Sequence, residues 1–393
     1  MNQDLIIEIL SHLPFKDKVN SSLVCKEWYH INKYIYGNCR PNKINYKQIR
    51  NSYFKKWLKG KVISFSLYID GGEKWIYIPK VMTPSISYLT IYNKFPRMTM
   101  HFENLIGLNL SMTELYSLPE VVCELTSLKE LILSHNYLST LPDTIIKLSK
   151  LEQLVLNRNK FERVPEILGQ MNRLKILSLN DNGMQMFPEI ICNLSKVERL
   201  DLGSNCIKSI PDSIQKLEQL EYLYLEQNRI IRISEHVGKL KNLKVLDLTD
   251  NYITTLPLSI RYLKKMQQLE ITSNLLTEIP DWINELEQLQ FLYASGNQIQ
   301  HISENIGQLK NLKDLSLSYN QIQVLPESFK YLANLLNLSV NGNNITELSN
   351  SIGCLINLEC FDLSDNELTS IPEELYLLAK LEYLGLSGNK LKK

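Results

Sequence analysis

The sequence has little cysteine and no pattern that suggests pairing: seven residues in 393, an odd number, with no CxxC spacing. A reducing compartment with free thiols is the expected setting. No apolar run approaches the ~18–20 residues that cross a bilayer, so no transmembrane helix and no membrane partner is expected. The start, MNQDLIIEIL, carries acids early and lacks a basic stretch and a small-residue cleavage site, which argues against a signal peptide. Neither GxxxxGKS nor GxxxxGKT occurs, and GxGxxG, HExxH and GxSxG are absent too. The six histidines, at positions 12, 30, 101, 135, 236 and 301, have no metal-ligand spacing. These absences exclude the common phosphate-loop, dinucleotide, zinc-protease and serine-hydrolase chemistries. No metal, no cofactor and no enzymatic activity is expected, which leaves binding.

Net charge is only +1, but it is unevenly spread. Residues 1–104 hold 16 Lys+Arg and 7 Asp+Glu, giving +9, and residues 105–393 hold the remaining 27 and 35, giving −8. Such asymmetry points to two modules with different partners. Between Lys33 and Ile69 there are nine basic residues and no acid, interleaved with Tyr46, Tyr53 and Trp57. A basic, aromatic stretch can bind nucleic acid. Here Tyr46, Ile49, Tyr53, Trp57 and Leu58 recur near a 3.6-residue period, so the segment reads instead as a helix with a solvated basic face.

Self-similarity dominates the rest of the chain. Asparagines stand 23 residues apart from Asn136 to Asn389, twelve in strict register with no insertion. Around each lies the pattern LxxLxLxxNxLxxLPxxIxxLxx, as in Leu128, Leu131, Leu133, Asn136, Leu138, Leu141, Pro142, Ile145 and Leu148. One further repeat precedes it at residue 105, with Thr113 in the asparagine slot, and the last begins at Leu381, which makes thirteen starts. The LxL piece alternates with period two and predicts a short strand. Stacking the repeats predicts a parallel sheet and one continuous leucine core. The asparagine amide both donates and accepts, which suits the buried backbone of a turn and of the next repeat. The proline fixes φ and starts the return segment; its replacements Ser234, Ser303 and Ser349 read as neutral variants. Cys192 and Cys206 occupy repeat positions and read as packing residues, as does Cys25.

This segment resembles the leucine-rich-repeat family, in its 23-residue LPxxI form. The resemblance implies an α/β solenoid of about 13 repeats with a parallel concave sheet, roughly 55–60 Å along its arc at ~4.8 Å per strand. It also implies a protein partner on that sheet. Extracellular members carry cysteine-rich caps; none is visible here, so an intracellular setting, cytoplasmic or nuclear, is expected.

The candidate substrate site comes from strand geometry. Residues between and just before the inward leucines point to the concave face. In the middle repeats these are Tyr222 and Tyr224, Val245 and Asp247, Gln268 and Glu270, Phe291 and Tyr293, then Asp314 and Ser316. Two aromatic pairs, about 14 Å apart, flank an acidic centre. Asp201, Glu226, Asp250, Asp362 and Asp365 extend the acidity, against Arg158 and Arg199. Tyr222, Tyr224, Asp247, Glu270, Phe291, Tyr293 and Asp314 are therefore the expected contacts for a basic segment with an apolar anchor; the alternative is that the strand tyrosines only cover neighbouring strands.

The N-terminus reads differently. In DLIIEILSHLPFKDKVNSSLVCKEWYHI, Leu5, Ile6, Ile9, Leu10 and Leu13 form one helical apolar face, and Pro14 ends it. Val19, Leu23, Val24, Trp28 and Ile31 supply a second apolar pattern. A bundle this small barely fills a core of its own and leaves apolar surface for a partner. The ILSHLPFKD and SLVCKEWYHI segments resemble an F-box, the motif that docks on the Skp adaptor of SCF ubiquitin ligases. The resemblance assigns Leu5, Ile9, Leu13, Pro14, Val24 and Trp28 to the Skp groove. The sequence departs from the family at its start, where only Asp4 remains of the usual LPxE or LPxD. The implied organisation is an F-box-like helical module over 1–40, a helical linker and N-terminal cap over 41–104, and the solenoid over 105–393. Within the cap, VISFSLYI and KWIYIPK alternate like strands and YLTIYNKFP looks like a decayed repeat.

The expected function is a substrate-recognition adaptor, with Skp and cullin at one end and a protein substrate on the repeats. The competing reading is a stand-alone scaffold, since the same repeat subtype resembles scaffolds of small-GTPase signalling.

Overall fold

The computed structural model describes residues 88–91, 95 and 102–392. The expected helices of 1–40 and most of the 41–104 cap, with its basic helical face and its VISFSLYI and KWIYIPK strands, lie outside these residues. The chain divides into two compact units, Met1–Lys160 and Phe161–Lys393.

In the first unit four strands pair in parallel: β1 (Tyr88–Thr90), β2 (Gly107–Asn109), β3 (Glu130–Ile132) and β4 (Gln153–Val155). The first belongs to YLTIYNKFP, where Leu89 and Ile91 are fully buried and Tyr88–Thr90 adds a strand to the sheet. One short α-helix, α1 (Glu120–Cys123), lies between β2 and β3.

In the second unit ten parallel strands form the main sheet. Its first members are β5 (Ile176–Ser178) and β6 (Arg199–Asp201). Two-residue strands β7 (Ser209–Ile210) and β9 (Arg232–Ile233) pair beside it. The main sheet continues through β8 (Tyr222–Tyr224), β10 (Val245–Asp247) and β11 (Gln268–Glu270). A second small pair, β12 (Glu278–Ile279) and β14 (His301–Ile302), flanks β13 (Phe291–Tyr293). The sheet ends with β15 (Asp314–Ser316), β16 (Asn337–Ser339), β17 (Cys360–Asp362) and β18 (Tyr383–Gly385).

Every pairing in this sheet keeps the 23-residue register, as Leu246 opposite Leu223 and Leu269 show. The middle residue of each strand points inward; Leu200, Leu223, Leu246, Leu269 and Leu292 are all fully buried. The return segments are five-residue 3₁₀ turns such as Asp212–Lys216 and Asp281–Glu285. With three residues per turn, the third residue of each segment faces the core, here Ile214 and Ile283, and in one repeat Cys192 is buried beside Ile191. That is the structural content of the LPxxI spacing.

The asparagine does more than sequence pattern suggests, and in the opposite direction. Asn251 Nδ2 donates to Leu225 O at 3.0 Å and to Leu248 O at 3.0 Å, and its Oδ1 accepts Ile230 N–H at 2.9 Å. Two of these partners lie in the preceding repeat, so the ladder ties each repeat back rather than forward. Thr113 makes only part of the set, donating to Leu110 O at 2.6 Å. The residue before the asparagine takes a left-handed φ in nearly every repeat, including bulky Arg158 and Tyr319. Such backbone is costly for L side chains, and the asparagine's bonds hold it in place.

The serines that replace proline are not neutral. Ser234, Ser303 and Ser349 cap their 3₁₀ turns, accepting N–H groups from His236 at 3.0 Å, Asn305 at 3.2 Å and Ser351 at 3.2 Å. Ser234 also keeps an N–H, which donates to Ile210 O at 3.3 Å and extends the β7–β9 pair. A proline could do neither.

Candidate protein-binding face

Outward positions of the main sheet are its first and third strand residues, and most strands show a half-buried, buried, half-buried sequence. The seven expected substrate contacts lie on five neighbouring strands. In register, Asp247 sits beside Tyr224 on one side and Glu270 on the other. Glu270 sits beside Tyr293, and Phe291 beside Asp314. The proposed Skp contacts, Leu5, Ile9, Leu13, Pro14, Val24 and Trp28, lie outside the described residues.

The aromatic pairs are less free than strand alternation alone suggests. Tyr222, Tyr224, Phe291 and Tyr293 are all half-buried. The Arg199 guanidinium lies 4.5 Å from the Tyr224 ring centroid and 6.0 Å from that of Tyr222, a cation–π arrangement. Phe291 and Tyr293 stack with centroids 6.4 Å apart.

The acids lie close together, with Asp247 and Glu270 on neighbouring strands in register. Burial pushes the Glu270 carboxyl up, and the nearby charge of Asp247 adds to the shift, while Gln268 donates to it and works the other way. Burial likewise raises Asp314, against a hydrogen bond from Asn337 at 3.0 Å. Tyr224 and Tyr293 are raised chiefly by burial. The strongest shift is at Glu226, just beyond Tyr224. Burial, with Asp201 and Asp247 adding to it, pushes this carboxyl to about 7. Its Oε1 accepts a 3.0 Å bond from Asn180, and its Oε2 is buried without a partner. Thr249 Oγ1, one repeat on, is also buried without a partner. Carboxyls raised by burial and by neighbouring acids hold their protons more readily, and a cation brought beside them favours the charged form.

Glu226 is where sequence pattern says least. Its position in the other repeats holds serine, threonine, asparagine or glycine, so the charge stands out in alignment, but its burial does not. Gly203 creates that burial: a Cβ there would strike the Glu226 carboxylate. Among the described residues no cluster of His, Cys, Asp or Glu could hold a metal ion, and no helix is long and apolar enough to cross a membrane.

Comparison with known proteins fits this geometry. The leucine rich repeat family model matches residues 103–161, 126–184, 172–230, 241–299, 295–345 and 337–391, and a two-copy repeat model matches 218–260. The F-box domain model matches residues 1–31. A leucine-rich-repeat protein of Leptospira interrogans is 33% identical, with a TM-score of 0.80 over 89% of this chain and 88% of that one. The leucine-rich-repeat ectodomain of a plant membrane receptor kinase from Arabidopsis thaliana, solved in complex with CASPARIAN STRIP INTEGRITY FACTOR 2, is 25% identical. Its TM-score is 0.58 over 79% of this chain and 46% of that one. An internalin of Listeria monocytogenes, 22% identical with a TM-score of 0.56 over 84% and 88% of the two chains, shares the fold. No curated protein matches the chain.

Proposed function

We infer, from a chain that belongs to the leucine-rich-repeat family and carries an F-box domain over residues 1–31, that it is a substrate-recognition adaptor of an SCF-type ubiquitin ligase. The observation that carries this reading is the order of parts: an F-box domain followed in the same chain by a long repeat array. The F-box docks on a Skp-type adaptor, which holds the cullin, and the repeats hold the substrate. Leu5, Ile9, Leu13, Pro14, Val24 and Trp28 fill the Skp groove. In this role the chain needs no catalytic group of its own. It raises the local concentration of a substrate lysine near a conjugating enzyme supplied by the rest of the assembly. This places its work inside the cell, in the cytoplasm or nucleus.

Support for the open sheet face as the substrate surface comes from its half-buried aromatic rings at Tyr224 and Tyr293 and its adjacent acids at Asp247 and Glu270. Tyrosine is enriched among residues that dominate binding energy. The partner segment is basic and brings an apolar side chain to lie on a ring.

Co-purification of Skp with the full chain tests the proposal. Leu13→Asp with Trp28→Ala removes Skp and leaves the melting of the repeats unchanged. Full Skp recovery by the double variant removes the ubiquitin reading and leaves a repeat scaffold.

A further inference from the structure

The face of each repeat opposite the sheet changes chemistry near the end of the array. The last residue of each 3₁₀ segment is polar in most repeats: Lys216, Glu285 and Gln308 are examples. Two residues further on, Glu218, Glu287 and Lys310 continue the pattern. In three consecutive repeats these positions become Tyr331 with Ala333, Cys354 with Ile356, and Leu377 with Ala379. They sit on the adjacent segments Glu327–Tyr331, Asn350–Cys354 and Glu373–Leu377.

None of these side chains serves the core of its own repeat. That role belongs to Phe329, Ile352 and Leu375, which are buried. Tyr331 is 54% exposed, Ile356 59%, Leu377 62%, and Tyr376 beside it 83%. Exposed large apolar side chains on three successive repeats of one face, with Lys310 and Lys330 over the Tyr331 ring, mark an interaction site.

We propose that this patch pairs two copies of the chain about a two-fold axis passing near Cys354 and Ile356. The charges at its rim select a second copy. Glu327 opens the first segment of the patch, and Lys380 lies three residues past the end of the last. A two-fold rotation about the middle repeat sets the first repeat against the third and the start of a segment against an end. Glu327 of each copy then faces Lys380 of the other, so one complementarity is satisfied twice, as an isologous interface requires. Both groups are held at the rim. Hydrogen bonds from Ser349 and Ser351 keep the Glu327 carboxyl below its ordinary range, and Lys380 Nζ donates to Asn357 Oδ1 at 2.8 Å. An apolar centre with a charged rim is the usual anatomy of a protein interface.

Sedimentation velocity on the full chain, from low- to high-micromolar concentration, tests the pairing. The wild type should pass from monomer to dimer. Ile356→Asp with Tyr376→Asp should stay monomeric with an unchanged melting temperature, since both residues are exposed. Glu327→Lys should weaken the dimer at least tenfold, and adding Lys380→Glu should restore it, because the swap re-creates both pairs in a symmetric complex. A wild type that stays monomeric throughout, an aspartate variant that still dimerises, or a charge swap that fails to restore association each overturns the proposal.

Discussion

Glu226 lays its carboxylate across the backbone of Gly203, in the space that any Cβ at that position would fill. The consequence is a carboxyl pushed from 4.5 to about 7 by burial and by Asp201 and Asp247. A folded-state value above the unfolded one means that the folded chain holds the extra proton between these two values. Its contribution to stability is therefore fully present below about 4.5 and is lost as pH rises through about 7. Wild type should lose melting temperature over that window relative to Glu226→Gln, with the difference constant above pH 8. Parallel melting curves of the two proteins against pH would show that the carboxyl is ordinary.

The asparagine ladder separates bond number from burial. Asn251 and Asn389 make matching bonds: Asn389 Nδ2 donates to Leu363 O at 2.9 Å and Leu386 O at 3.0 Å, and its Oδ1 accepts Leu368 N–H at 3.0 Å. Asn251 is 5% exposed, whereas Asn389 is only partly buried. Stranded buried backbone groups cost about 1–3 kcal/mol each, and water replaces the lost partner at an exposed site. Asn251→Leu should therefore lower the melting temperature far more than Asn389→Leu. Equal shifts by calorimetry would place the cost in the bonds themselves.

The capping serines give a test of local chemistry. Ser303→Ala removes the acceptor for Asn305 N–H and should cost about 1 kcal/mol, as N-cap deletions do. Ser234→Pro is compatible with the observed φ of −63° yet should also destabilise, because it loses both the cap and the N–H bond to Ile210 O. Denaturant unfolding of the two variants measures this; a more stable Ser234→Pro protein would mean that chain stiffening outweighs both bonds.

On the open sheet face, Tyr224→Ala with Tyr293→Ala should lose the substrate set while Skp recovery stays intact. Asp247→Lys with Glu270→Lys should lose it as well, chiefly through slower association at low salt. Mass spectrometry of proteins captured by the full chain reads both. Retention of the whole set by both double variants would move the site off this face.

The sequence alone determined the repeat, its register and its core. A 23-residue period with leucines at fixed offsets admits one arrangement in which every leucine is buried, and the strands follow from it. It also determined which side chains share the open face, because side-chain alternation along a strand is a local property. Only the tertiary structure decided how those side chains behave. The Arg199 guanidinium over Tyr224 and the carboxyl of Glu226 over Gly203 are both contacts with neighbours in space. So is the exposure of Ile356 and Tyr376, which a pattern that reports only residue type cannot distinguish from burial. Burial, and the pKa shift that follows from it, depends on what the adjacent repeat brings within a few ångströms, and that is a property of the stack rather than of any one repeat.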